Sequence, residues 1–225
     1  MATALPALSP TRRLWLMAEM ALLYLVAPMG VYVLVYGYGT PLFMVLLPVF
    51  VIFATILTID GDFIWRKLLT TGIKWAELAQ IIALFLVAGA AIAWFAWKTV
   101  PGLFLLFPRR LPELWLIVMV LYPLISVTTQ EIMFRVFFFH RYGGLFGHQA
   151  VLLIWVNAAL FTFAHIIFQN WISIWISLLG GLLFAWRYHR TRSFWAVTFE
   201  HALYGNLIFT VGLGRYFFTG MSNFN

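Results

Sequence analysis

Residues 151–165 read VLLIWVNAALFTFAH, an apolar run that closes on a histidine. Two further segments share that character. TTQEIMFRVFFFHRYG, at 128–143, carries Glu131, and FWAVTFEHALYGNLIFTVGLG, at 194–214, carries His201. An ionisable side chain at the centre of a hydrocarbon-embedded helix costs at least about 2.5 kcal/mol, so such groups persist where they pair or work. Glu131, His165 and His201 lie on three separate segments, and their types suit acid–base or ligand chemistry. They are therefore expected to converge on one polar cavity inside a helix bundle.

Composition fixes the class around these segments. Of 225 residues, 64% are hydrophobic and 9% charged, against about a quarter charged in a soluble domain. A crossing needs about 20 apolar residues, so the length accommodates six to eight helices and no separate soluble domain. The expectation is an all-α, polytopic membrane helix bundle of about seven transmembrane helices, one integral membrane domain over 1–225. Spans fall at 14–37, 41–59, 76–98, 111–142, 149–168, 171–187 and 193–213. The first is too long for a signal-peptide core and reads as a retained span. The fourth exceeds one straight crossing, and Pro123, which cannot donate a helical hydrogen bond, predicts a kink or break there. Between the second and third spans, GDFIWRKLLTTGIKW (61–75) alternates charge with aromatics and predicts a short surface helix. The absence of cysteine excludes a thiolate nucleophile and a disulfide framework. The net charge of +7 sits mostly in short turns, where it predicts orientation signals and contact with the lipid bilayer, with no nucleic-acid partner.

Counting Lys and Arg assigns a side. With a cytoplasmic N-terminus, that side holds Arg12, Arg13, Arg66, Lys67, Lys74, Arg141, Arg187, Arg190 and Arg192, and the other holds Lys98, Arg109, Arg110 and Arg215. The location expected for this integral membrane protein is the bacterial inner (plasma) membrane; the excess predicts a cytoplasmic N-terminus and seven crossings. The Arg109-Arg110 pair stands against it, and an eighth crossing split at Pro123 would resolve the conflict. At 1.5 Å per helical residue, Glu131 and His201 lie about 13–15 Å from the cytoplasmic side, near mid-membrane.

Local spacing adds detail. Glu131 and Arg135, and likewise Phe161 and His165, are i, i+4 and share a helix face. His201 and Asn206 are i, i+5, about 140° apart on a regular helix. A π-bulge at Gly205 would align them; without one, Tyr204 at i+3 is the better donor. QEIMFR, FTFAH and HALYGN, in that order on successive apolar segments, resemble the three motifs of the CPBP family, the membrane proteins related to CAAX prenyl endopeptidases and bacteriocin-processing proteases. The resemblance covers about 115–215, a CPBP-like core. Its pattern is Glu-Glu-x-x-x-Arg, then Phe-x-x-x-His, then His-x-x-x-Asn or Asp. Glu131 and Arg135 match the second Glu and the Arg, Phe161 and His165 match the second motif, and His201 opens the third. Gln130 stands at the first Glu position and Gly205 at the Asn position, with Asn206 one residue late.

The resemblance implies an intramembrane endopeptidase that cleaves a membrane-associated peptide or protein with activated water. Glu131 and His165 would polarise the water, and His201 and Asn206 would donate to the oxyanion. Gln130, Arg135, Phe161 and Tyr204 would support them. An amide cannot act as a general base, so Gln130 moves that role to Glu131 or leaves the site silent. A silent relative, serving as an immunity or scaffold membrane protein, is the alternative. A transporter or proton relay would show paired broken helices in two similar halves, and none is found. Glu131, His165 and His201 could also hold a divalent metal such as zinc with an open position, although no HExxH occurs; sequence leaves the water-only and metal versions open. Each residue also has a plainer role: Glu131–Arg135 as a structural ion pair, His165 as a core histidine, Glu200 as a local partner of His201. Phe137-Phe138-Phe139 and the 11 tryptophans are expected at lipid-facing or interfacial positions, and Gly180-Gly181 at a close helix contact.

Overall fold

The computed structural model describes residues 8–219. The expected single unit over 1–225 therefore includes residues 1–7 and 220–225, which lie outside the described residues. All regular structure among the described residues is helical. Besides the short turns Gly143–Phe146 and Leu213–Phe217, the helices are α1 (Pro10–Tyr38), α2 (Leu42–Ile59), α3 (Trp65–Thr70), α4 (Trp75–Thr99), α5 (Leu106–Arg110), α6 (Pro112–Arg141), α7 (Ala150–Phe168), α8 (Trp171–Thr191) and α9 (Phe194–Thr210). Five of these, α1, α4, α6, α7 and α8, are long and apolar enough to cross a membrane, and α2 is a shorter apolar helix. The chain is a polytopic helical membrane protein. Each of the seven expected spans corresponds to one helix, with α3 as the short helix between the second and third.

Outward-facing side chains show why this bundle suits a bilayer. Leu86, Val87, Leu116, Leu124, Val151 and Leu179 are all exposed along the long helices, which water would not tolerate as a continuous surface. Nine tryptophans, among them Trp75, Trp94, Trp155 and Trp171, are exposed as expected. The phenylalanine run is not. Phe137, Phe138 and Phe139 are all buried; Phe138 packs on Tyr24, whose ring meets Phe53, Phe134, Phe138 and Tyr142 edge-on at 5.3–6.1 Å, Phe137 on Phe53 and Phe139 on Tyr188. An i, i+1, i+2 run covers three faces of a helix, so burying it means that α6 is enclosed on all sides there.

Helix α6 carries an irregularity at Pro123, where a kink or break was expected, but does not break. It runs unbroken through Pro123, which is absorbed in a π-helical stretch, Tyr122–Val127, and a second stretch spans Ile132–Phe137. Widening the turn removes the i−4 partner that proline cannot supply, and side chains satisfy the carbonyls left over. Thr128 Oγ1 donates to Pro123 O, Tyr24 Oη to Met133 O and Asn157 Nδ2 to Phe134 O. Glu131 lies between the two stretches, and α1 and α7 are clamped onto the second. The eighth crossing that would have resolved the Arg109-Arg110 conflict does not form.

Two charged clusters hold elements together. At the end of α6, Arg141 makes paired bonds of 2.8 and 2.9 Å to Glu19 of α1, and Tyr142 Oη donates to the same carboxylate. Asp60, at the end of α2, meets Arg141 and His140 at 3.3 Å each. Burial pushes the Asp60 carboxyl up, but the Asp62 backbone N–H, His140 and Arg141 outweigh this and hold it below its ordinary value. The second cluster is Arg187–Glu200, a bidentate pair at 2.8 and 2.9 Å between α8 and α9 with both side chains buried. Arg187 was expected among the loop cations; it lies instead within α8, its charge matched by Glu200. Gly181 makes the expected close contact, since a Cβ there would lie 3.2 Å from Ala158 Cα of α7, whereas one at Gly180 would meet only Phe184 of its own helix.

Candidate active site

Glu131 and His201 meet directly. Nδ1 of His201 lies 2.7 Å from Oε1 of Glu131, and Glu131 is fully buried. An ionised carboxylate only accepts hydrogen bonds, so Nδ1 carries the hydrogen and, in the neutral ring, Nε2 holds the lone pair. The imidazole is fixed on its other sides by aromatic rings. Phe184 of α8 stacks on it at 4.5 Å and 21°, and Phe161 of α7 stands edge-on at 5.9 Å. The site thus draws on four consecutive helices, α6, α7, α8 and α9.

Arg135 approaches the second Glu131 oxygen at 3.4 Å, without hydrogen-bond alignment. The shared helix face read from the i, i+4 spacing does bring the charges together, but the bidentate bond that would occupy the carboxylate is not made. The guanidinium lies instead over the faces of Phe161 at 4.3 Å and Phe184 at 5.5 Å. Such placement is favourable for a desolvated cation by about 2 kcal/mol. Arg135 therefore balances the Glu131 charge and leaves Oε1 to His201.

His165 also packs on Phe161, with ring centroids 4.5 Å apart. Its Nδ1 lies 2.7 Å from Phe161 O; a carbonyl only accepts, so this nitrogen is the donor and Nε2 is left as acceptor. Both histidine rings thus contact the Phe161 ring. No group of three His, Asp or Glu among the described residues is placed to hold a metal, so of the two versions left open the set of Glu131, His165 and His201 does not fit a zinc ion. The cause is local. One Glu131 oxygen faces His201 and the other a guanidinium, so neither is left for a metal ion.

The remaining expectations divide. Gln130 Nε2 donates to Ser126 Oγ at 2.9 Å, and its carbonyl oxygen is buried without a partner. Helix α9 is regular through Gly205, with no bulge. Asn206 consequently turns away from His201 and donates to Met119 O at 3.1 Å. Tyr204 is buried against Phe85 and Phe184 with its hydroxyl unpartnered, so it does not replace Asn206 at the imidazole. Tyr122 does reach it: its hydroxyl lies 3.5 Å from His201 Nε2. Sequence reasoning passed over Tyr122, because no motif spacing marks it and only the π-helical turn after Leu121 aims it inward. Phe184 and the Arg187–Glu200 pair were missed for the same reason, being contacts between helices.

Residues 112–207 match the type II CAAX prenyl endopeptidase Rce1-like family. The match runs from the first residue of α6 into α9 and spans Glu131, His165 and His201, so the resemblance carried by the three motifs holds for this region. No curated protein and no solved structure matches the chain. The Rce1-like region is also the part of the bundle that contains the Glu131–His201 contact. Helices α1 and α2 lie outside it, and they pack on α6 through Tyr24 and Phe53.

Proposed function

We propose that the Rce1-like region is an intramembrane endopeptidase in which His201 Nε2 activates water and Glu131 orients the imidazole and stabilises its charged form. The observation that carries this reading is the 2.7 Å contact between the buried Glu131 carboxylate and His201 Nδ1. A carboxylate on one ring nitrogen fixes the tautomer and stabilises the imidazolium formed when the other nitrogen takes a proton. It also meets the difficulty raised by Gln130, since an amide is not asked to be a base. Glu131 itself is too enclosed to receive water, being fully buried, whereas His201 is 6% exposed. His165, with Nε2 as acceptor, stands within the same aromatic cluster as a second group able to hold water or the leaving amine. The substrate is a peptide or protein that enters from the bilayer or the membrane surface.

The test uses detergent-purified protein and a membrane-peptide library, with cleavage read by mass spectrometry. His201→Ala is expected to abolish the cleavage seen in wild type with the unfolding midpoint near the wild-type value, and Glu131→Gln to abolish it with a lowered midpoint, because it leaves the buried Arg135 charge without its partner. Unchanged cleavage in either variant would remove the dyad from the mechanism. We further propose a bacterial plasma-membrane location with the N-terminus cytoplasmic. Arg12, Arg13, Arg66, Lys67, Lys74, Arg141, Arg190 and Arg192 still outnumber the four cations opposite once Arg187 is set aside. The chain has no cysteine, so single cysteines placed at Gly72 and Gly102 would report sidedness by labelling without background. Labelling of the Gly102 position alone from the cytoplasmic face would reverse the orientation.

A further inference from the structure

Tyr122 and Gly205 fit together in a way that neither explains alone. Gly205 follows His201 by four residues on a regular helix, so it lies one turn further on the same face. The motif that HALYGN resembles carries an amide side chain at this position; here there is none. A Cβ built on Gly205 would lie 2.3 Å from Tyr122 Cε1, 2.5 Å from its hydroxyl and 2.7 Å from Cζ. The phenol thus occupies the volume that any side chain at 205 would need, and the two are mutually exclusive. Its hydroxyl points to His201 Nε2 at 3.5 Å, the nitrogen that faces away from Glu131.

The neighbours of Tyr122 hold it there. Phe209 of α9 packs edge-on to its ring at 5.0 Å. Asn206 Nδ2 ties to Met119 O, and Trp115 Nε1 donates to Thr210 Oγ1 at 3.0 Å, so α6 is fastened to α9 along the turns before Tyr122. Asn206, displaced by one residue from the motif position, serves in this fastening.

We propose that the Tyr122 hydroxyl is a catalytic residue, the hydrogen-bond donor to the developing oxyanion, in the place of the missing amide at 205. This rests on the endopeptidase reading above. In the resting state the hydroxyl donates to Nε2 over a long contact, of the kind that tightens or exchanges on substrate binding. Water replaces it on Nε2 and loses a proton to that nitrogen as its oxygen bonds to the peptide carbon. The C=O π electrons move onto oxygen, and Tyr122 O–H donates to that oxygen without transferring its proton. When the carbonyl re-forms, the C–N bond breaks and the amine leaves with the proton from His201, which returns the base to its neutral form.

The experiment compares wild type, Tyr122→Phe, Tyr122→Ala and the double variant Tyr122→Ala/Gly205→Asn for kcat and KM on a peptide cleaved by the wild type, with unfolding midpoints in detergent. Losing one oxyanion donor lowers kcat by about 10²–10³-fold, so Tyr122→Phe is expected to fall by that factor with KM and midpoint little changed. In the double variant, the introduced amide side chain has the space vacated by the phenol, and recovery of at least about tenfold over Tyr122→Ala is expected. Wild-type kcat in Tyr122→Phe overturns the proposal. So does a fall that comes with a lowered midpoint and no recovery in the double variant, which assigns Tyr122 to packing. Cleavage by wild type that His201→Ala also retains instead overturns the dyad reading on which the proposal rests, and wild type that cleaves no peptide overturns both.

Discussion

Replacing Arg187 by Met measures how strongly α8 holds α9. The side chains of Arg187 and Glu200 are 1% and 0% exposed, and two charge-assisted bonds at 2.8 and 2.9 Å join them. Removing one partner leaves the other charge buried without compensation, which costs about 3–5 kcal/mol. Loss of the guanidinium over the Trp186 ring at 5.0 Å adds about 0.5–1 kcal/mol. Glu200 precedes His201 directly, so a displaced Glu200 would also disturb the imidazole. The assay is denaturant unfolding in detergent micelles for Arg187→Met, Glu200→Leu and the double variant. Glu200→Leu is expected to lose about 3–5 kcal/mol and Arg187→Met about 3.5–6 kcal/mol, and the double variant to recover most of it, since an apolar pair of similar volume is often as stable as a buried ion pair. A single variant within about 1 kcal/mol of wild type would refute the reasoning, because it would mean that the pair is not desolvated. Strictly additive losses in the double variant would refute it equally, since the cost would then come from packing and not from the stranded charge.

Tyr24→Phe should destabilise the protein by about 1–3 kcal/mol, the cost of leaving a buried carbonyl, Met133 O, without its donor; a neutral result in the same unfolding assay would mean that the π-helical turn re-forms its own bond. Gly181→Ala should cost about 1–3 kcal/mol and reduce any cleavage activity, because its Cβ would press on Ala158 Cα and on Phe161 Cδ1, both at 3.2 Å, and Phe161 supports both histidines; unchanged unfolding and turnover would show that α7 and α8 can separate freely. Asp60 has a carboxyl held below its ordinary value, so its bonds to Arg141 and to the Asp62 backbone N–H stabilise the fold above the ordinary carboxylate pKa and weaken as the pH falls through the lowered one. The stability gap between wild type and Asp60→Asn, about 1 kcal/mol or less, should therefore be present at pH 7 and close below about pH 4; a gap that persists in acid would place its origin outside these bonds.

The amino-acid sequence by itself determined the parts of this protein that depend on composition and on one helix at a time. Long apolar runs mark the helices, because backbone groups in hydrocarbon must be satisfied within a segment. The i, i+4 pairs Glu131–Arg135 and Phe161–His165 were legible because helical geometry alone sets their spacing. The three ordered motifs indicated the Rce1-like region that 112–207 matches. What tertiary structure decided is which side chain meets which across helices. It gave Glu131 to His201 rather than leaving it to Arg135, turned Asn206 onto Met119 and brought Tyr122 into the space above Gly205. It also buried the phenylalanine run, which sequence alone assigned to lipid, because an apolar side chain reads the same toward lipid as toward another helix. The π-helical stretches around Glu131 were invisible for a related reason. Their widened turns are stabilised by Tyr24 and Asn157, donors far away in the chain, so no local pattern records them.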